Sequence, residues 1–184
     1  MPKIVRFYEF GSAEVLRLED EPLREPDTGE VRLKVEAIGL NRAEIGFRAG
    51  RYLELPETFP STLGYEASGV IDAIGAGVTG FHVGDRVSTI PAFSMKQYGV
   101  YGESAIVPAV AAAAYPDSLS ANEGTAIWMS YITAYGPLVE YGQVKAGDFV
   151  LITAASSSVG YSAIQIAKAA GAVAIATTRS TAKK

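Results

Sequence analysis

Residues 149–178, FVLITAASSSVGYSAIQIAKAAGAVAIATT, constrain the fold more tightly than any other stretch of the chain. An apolar run breaks at a cluster of small residues. A segment with apolar residues at helical spacing follows, closed by Gly171, and then a second apolar run. A strand, a crossover helix and a strand of these lengths make a βαβ unit. Both strands are apolar throughout rather than alternating, which places them in a parallel sheet buried on both faces.

The small-residue cluster lies where the crossover helix begins. Helix N-terminal N–H groups and the helix dipole attract phosphate there. The dinucleotide fingerprint G-x-G-x-x-G falls on Ala155, Ser157 and Gly160, and only Gly160 matches. Serine hydroxyls are able to donate to phosphate oxygens, so Ser156, Ser157, Ser158, Val159 and Gly160 form a candidate phosphate loop. Ser156–Gly160 also reads S-x-S-x-G, one residue from the nucleophile elbow G-x-S-x-G, with Ser158 as the nucleophile. That chemistry needs an acid and a histidine after the serine, and residues 161–184 hold no Asp, Glu or His. A plain turn without a ligand is the remaining alternative. About 20 residues beyond the loop the fingerprint places a carboxylate when a ribose 2′-hydroxyl is read. This chain has TTRSTAKK there, with Thr178, Arg179 and Lys183 and no acid. The absence of a repelling charge and the presence of two cations favour NADP(H) over NAD(H). The plainer reading of the same residues is a solvated basic end.

Residues 1–120 have a different character. KIVRFYEF, EVRLKVEAIGL, ASGVIDAIGAGV, VGDRVSTI and GESAIVPA read as short strands separated by turns. NRAEIGFRAG fits a short helix capped by Asn41 and ended by Gly50. Closely spaced short strands predict a partly open barrel or sandwich. From Ser120, with Glu123 three residues on, a capping box opens a helical stretch with a break expected at Gly136-Pro137. The expected organisation is therefore a largely β part over 1–120, then a joining helix and one βαβ unit over 121–184.

The formal net charge of −4 and the lack of a basic stripe argue against a nucleic-acid partner. The chain has no cysteine, which excludes disulfides and thiolate metal ligands. The opening residues lack a signal-peptide core, and the longest apolar run, AIVPAVAAAAY, is too short to span a bilayer. These features lead to the expectation of a cytoplasmic protein without a membrane partner. The single histidine, His82, falls in a turn-like stretch, where a solvated role is expected.

Read in order, GLNRAE, RAGRY, FPSTLGYEASGVIDAIGAGVTGFHVGDRV, ITAYGPL and VLITAASSSVGYSAIQIAKAAGA resemble the medium-chain dehydrogenase/reductase superfamily, in particular its zinc-independent quinone oxidoreductase branch. The resemblance implies a GroES-like, partly open β-barrel followed by a Rossmann cofactor domain, with the active site in the cleft between them. Of that second domain the chain would hold an incomplete part, so an N-terminal fragment is expected. Zinc-using relatives carry cysteine where this chain has Asn41, and histidine where it has Tyr65 within Gly64-Tyr65-Glu66. No metal site is therefore expected, because tetrahedral zinc sites use nitrogen and sulfur ligands that these positions do not offer.

The resemblance further implies NADPH as cofactor and a quinone or α,β-unsaturated carbonyl as the small-molecule acceptor. It places Asn41, Tyr52 and Tyr65 at the reacting centre and Thr133 beside the nicotinamide carboxamide. It also implies a homo-oligomer when full length, and a 184-residue chain that is inactive alone. Two other readings stay open at this point. One is a non-catalytic dinucleotide-binding or structural module. The other is an alcohol dehydrogenase-like enzyme, which would depend on metal.

The cofactor reading makes a direct prediction. Replacing Arg179 and Lys183 together by alanine in the intact protein should weaken NADPH binding and leave NADH nearly unchanged. One charge-assisted contact at an exposed site is worth about 1.5 kcal/mol, or roughly tenfold. Calorimetric titration with each nucleotide checks this, and equal losses for both would contradict it.

Overall fold

The computed structural model describes residues 1–179. The chain divides into two compact units, Met1–Ala126 and Ile127–Lys184.

In the first unit β1 (Lys3–Phe7) pairs antiparallel with β2 (Leu16–Asp20). Five further strands follow: β3 (Glu30–Gly39), β4 (Glu66–Ile74), β5 (Arg86–Thr89), β6 (Ser104–Pro108) and β7 (Ala112–Ala114). They form an antiparallel sheet in the order β6-β3-β4-β5-β7. The sheet is open, as a partly open barrel requires, and single bridges at Ile4–Gly102 and Phe7–Ser61 tie β1 to the loops beside it. The strands form where β-branched and aromatic residues alternate with polar ones. Their inward residues, among them Phe7, Leu33, Ile71, Val87 and Val107, are wholly buried, and Phe47 joins them from a helix. Arg32 is also buried, and its guanidinium donates to Asp72, Glu25 and the Arg24 carbonyl at 2.8, 3.1 and 2.9 Å. A buried charge is tolerable only with such partners.

Two helices complete this unit. α1 (Arg42–Arg48) starts after Asn41 and stops before Gly50, as its sequence predicts. α2 (Ala121–Thr125) opens with the expected capping box, the Glu123 carboxylate accepting from the Ser120 N–H at 2.8 Å. It is held on the sheet by Ser68, whose hydroxyl donates to the Ala121 carbonyl at 2.7 Å.

The second unit contains α3 (Trp128–Tyr135), a π-helical segment (Gly136–Tyr141), β8 (Phe149–Ile152), α4 (Ser158–Ala169) and β9 (Val173–Ala176). β8 and β9 are parallel, in register from Phe149–Val173 to Ile152–Ala176, and α4 is the crossover between them. The break expected at Gly136-Pro137 does not end the helix. Proline removes one N–H donor, and the chain widens into i→i+5 bonding there, with the Gly142 N–H on the Pro137 carbonyl at 2.9 Å. The interruption falls instead between α2 and α3. The Tyr131 hydroxyl donates to Gln165 at 2.6 Å and links α3 to α4. No helix among the described residues is long and apolar enough to cross a membrane.

One face of β8 and β9 packs under the helices through Ile152, Val150 and Ala174. The other face shows Phe149, Leu151, Val173 and Ile175 to solvent, at 72, 65, 48 and 45% exposure. A two-stranded pair with one bare face is marginally stable. Hydrogen exchange of the 184-residue chain should therefore find amides of residues 148–177 exchanging faster than those of 31–39 and 67–74. Equal protection of the two regions in a monomer would contradict this.

Candidate functional site

The antiparallel register of β3 and β4 sets Gly39 opposite Glu66. A Cβ on Gly39 would stand 2.6 Å from the Glu66 carboxylate, so only glycine lets that side chain fold over the end of β3. The chain then turns into α1 through Asn41. The Asn41 amide Nδ2 donates to Glu66 Oε2 at 2.8 Å. The backbone N–H of Asn41 donates to Glu44 Oε2, also at 2.8 Å, in a reciprocal capping box in which the Asn41 side chain faces the Glu44 N–H. Glu44 Oε1 accepts from the Tyr65 N–H at 3.3 Å. Glu44 and Glu66 are 3 and 5% exposed. Burial pushes the Glu44 carboxyl above its ordinary value, and the surrounding N–H donors oppose that rise in part.

Tyr65 follows Gly64, whose φ of +107° and contact with the Tyr101 ring leave no room for a side chain. Tyr65 is buried, and its ring tilts against Phe93 with centroids 5.6 Å apart. Burial first, and a hydrogen bond with Tyr52 second, push the Tyr65 phenol far above its ordinary value. Tyr65 thus keeps its proton across the neutral range and is a hydroxyl group, not a base. Half-buried Tyr52 meets Phe47 edge-on at 6.4 Å. Tyr101 closes the group from another side, its hydroxyl donating to the Gly39 carbonyl at 3.1 Å.

The fold therefore gathers Asn41, Tyr52 and Tyr65 into one cluster. It adds Glu44, Phe93 and Tyr101, which the sequence reading did not single out. Glu44 had a legible signal, because Asn41-x-x-Glu44 is a capping-box spacing. Phe93 and Tyr101 had none, since distant loops bring them in. His82 is 87% exposed beside Asp85, the solvated turn expected of it. Among the described residues no group of three or more His, Cys, Asp or Glu is placed to hold a metal.

In the second unit the loop between β8 and α4 turns at Ala154, which has a φ of +49°. Ser157 caps α4, its N–H donating to the Ala154 carbonyl at 2.8 Å and its hydroxyl oxygen accepting from the Gly160 N–H at 3.0 Å. A Cβ on Gly160 would stand 2.6 Å from the Ala154 carbonyl oxygen, so glycine lets helix and loop meet closely. Ser156, Ser157 and Ser158 are exposed, Val159 partly so, and the first turn of α4 carries no acid. This end of α4 fits a phosphate: its dipole is positive, its hydroxyls face solvent and no carboxylate repels an anion. Thr178 and Arg179 follow β9 and are exposed. Thr133 is exposed on α3. Lys183 lies outside the described residues.

Glu44 predicts a pH dependence of stability. Its carboxyl is raised in the folded chain, so the native state holds that proton more tightly than the unfolded one. Its contribution is therefore lost as pH rises from the ordinary value of 4.5 through the raised one. Urea denaturation across this window should show wild-type stability declining relative to Glu44→Gln. A difference that is flat, or that grows with pH, would contradict the assignment.

A family profile described as the alcohol dehydrogenase GroES-like domain matches residues 27–117. Human quinone oxidoreductase is 39% identical over 170 residues, which cover 92% of this chain and 50% of the relative. The human synaptic vesicle membrane protein VAT-1 homolog is 33% identical over 95% of this chain and 43% of its own length. The crystal structure of Escherichia coli quinone oxidoreductase complexed with NADPH is similar at a TM-score of 0.87 and 31% identity, covering 98% of this chain and 54% of that one. The chain spans about half the length of the curated relatives it matches. On these likenesses the chain belongs to the medium-chain dehydrogenase/reductase superfamily, on its quinone oxidoreductase-like branch.

Proposed function

We propose that the protein carrying this chain is an NADPH-dependent oxidoreductase that passes a hydride to a quinone, or second to an α,β-unsaturated carbonyl, without a metal ion. The observation that carries the reading is the likeness, along nearly the whole chain, to an Escherichia coli quinone oxidoreductase complexed with NADPH. NADPH, when bound, supplies the hydride. The N-terminus of α4 with Ser156, Ser157, Ser158, Val159 and Gly160 would hold the pyrophosphate. Thr178, Arg179 and Lys183 would hold the 2′-phosphate, and Thr133 would meet the carboxamide.

Reduction of a carbonyl oxygen leaves negative charge that hydrogen-bond donors stabilise. Tyr65 remains a phenol under neutral conditions, and the Tyr52 hydroxyl lies near its own. Tyr52 is the donor assigned to the acceptor, and Tyr65 holds it in place and lines the site with Phe93. Asn41 adds an amide. The 184-residue chain, at about half the length of its relatives, carries part of this machinery and turns over little substrate alone.

A second reading has its own support. The VAT-1 homolog bears a name that states no redox activity, so a non-catalytic dinucleotide-binding module is the competing function. Consumption of NADPH with 1,4-benzoquinone by the full-length protein separates the two. The oxidoreductase reading predicts turnover, and Tyr52→Phe should lower kcat about tenfold, the loss of one hydrogen bond in the transition state. Nucleotide binding with no turnover toward quinones or enones would establish the module instead.

A further inference from the structure

We infer that Glu44 is a positioning residue whose ionised carboxylate clamps the backbone of Tyr65 to that of Asn41, so that the site is fully assembled only while Glu44 carries its charge. The inference deepens the proposed function and rests on it for the reaction that the clamp serves. The clamp itself rests on two backbone hydrogen bonds and on burial.

Tyr65 lies between Gly64 and the first residue of β4, outside the sheet ladder. Its carbonyl accepts from the Thr89 hydroxyl at 2.7 Å, and its N–H donates to Glu44 Oε1 at 3.3 Å. The other oxygen of the same carboxylate, Oε2, accepts from the Asn41 N–H at 2.8 Å. One acid, 3% exposed, thus takes a backbone donor on each oxygen, and the donors belong to two residues of the site. The Asn41 side chain lies against the same carboxyl.

A carboxylate accepts at both oxygens, whereas a carboxylic acid carries a hydrogen on one of them. With an N–H facing each oxygen, a proton on Glu44 has to displace one of the two contacts. The longer bond, to Tyr65, is the weaker and is the one to give way. Protonation therefore releases Tyr65 and leaves the cap on α1. The titratable groups that face Glu44 from neighbouring elements are Glu66 on β4, which shares Asn41 with it, and Tyr101 from the loop before β6. Burial first, and then the Glu44 and Glu66 charges, push the Tyr101 phenol up. On α1 itself, the Arg48 guanidinium donates to the Gly11 carbonyl at 2.7 Å. Burial raises the Glu44 carboxyl, so the clamp engages as pH rises past the ordinary value of 4.5. One ionisation then has two effects of opposite sign. The buried charge lowers the stability of the fold while it tightens the site.

The test begins with wild-type, full-length protein labelled with nitrogen-15 tyrosine and asparagine, titrated from about pH 4 to about pH 8. The Tyr65 backbone signal is identified by its loss in Tyr65→Phe, and that of Asn41 by its loss in Asn41→Gln. The inference predicts that both N–H proton signals move downfield together as pH rises, with one midpoint above 4.5. Neither should titrate in Glu44→Gln, and the remaining tyrosine signals report that this variant is folded. A Tyr65 signal that does not move in the wild type, that moves with a midpoint different from that of Asn41, or that still titrates in Glu44→Gln would overturn the inference. With NADPH and 1,4-benzoquinone, wild-type kcat/KM should rise with pH through the same midpoint. Glu44→Gln should be about tenfold slower at neutral pH and should lack that limb. A slower variant that keeps the limb would contradict the clamp, since a merely structural role leaves the shape of the profile unchanged. A full-length wild-type protein with no turnover would defeat the functional reading, and the two amide signals would still decide the clamp.

Discussion

Two carboxylates, Glu44 and Glu66, are buried beside one asparagine, and the site in the first unit depends on how they are held. Burying a carboxylate without partners costs several kcal/mol. Here the partners are the backbone N–H groups of Asn41 and Tyr65 for Glu44, and the Asn41 amide for Glu66. Those bonds join the end of β3, the start of α1 and the start of β4. The same bonds that make the acids tolerable therefore fix the positions of Asn41 and Tyr65. Tyr52 lies near Tyr65, with Phe47 edge-on to the Tyr52 ring and Phe93 tilted against the Tyr65 ring.

Under the proposed function, the second unit has a different requirement to meet. A phosphate needs aligned N–H groups, no competing acid and a backbone able to come close. The start of α4 supplies the first by helix geometry and the second by composition. Gly160 supplies the third through its contact with the Ala154 carbonyl. Ser157 stands at one of the glycine positions of the fingerprint. The positive φ of the turn is at Ala154, and the Ser157 hydroxyl oxygen caps the helix.

Much of this was legible in the residues. Alternation found β1 and β3, short runs bounded by turn residues found β4, β5 and β6, and continuous apolar runs found β8 and β9, although the burial on both faces that those runs predict is met on one face only. Helix stops at Gly50 and Gly171 were legible because glycine ends helices for local reasons. β2 and β7 were not. LRLED reads as a charged connector, and AAA carries no β-branched residue, so only pairing with β1 and β5 makes them strands. Within the site, Asn41, Tyr52 and Tyr65 came from motif resemblance. Their mutual contacts could not, since a hydrogen bond between residues 52 and 65, or a ring contact between 65 and 93, is set by loops that carry no period. Glu44 was readable as a cap partner but not as a buried acid, because burial is a property of the packed sheet around it.

The most direct test of the account is a crystal structure of the full-length protein grown with NADPH. The account predicts pyrophosphate oxygens within hydrogen-bond distance of the residues opening α4, from Ser156 to Val159, and the 2′-phosphate against Arg179. A nucleotide bound elsewhere, or a phosphate loop that stays empty at saturating NADPH, would contradict it.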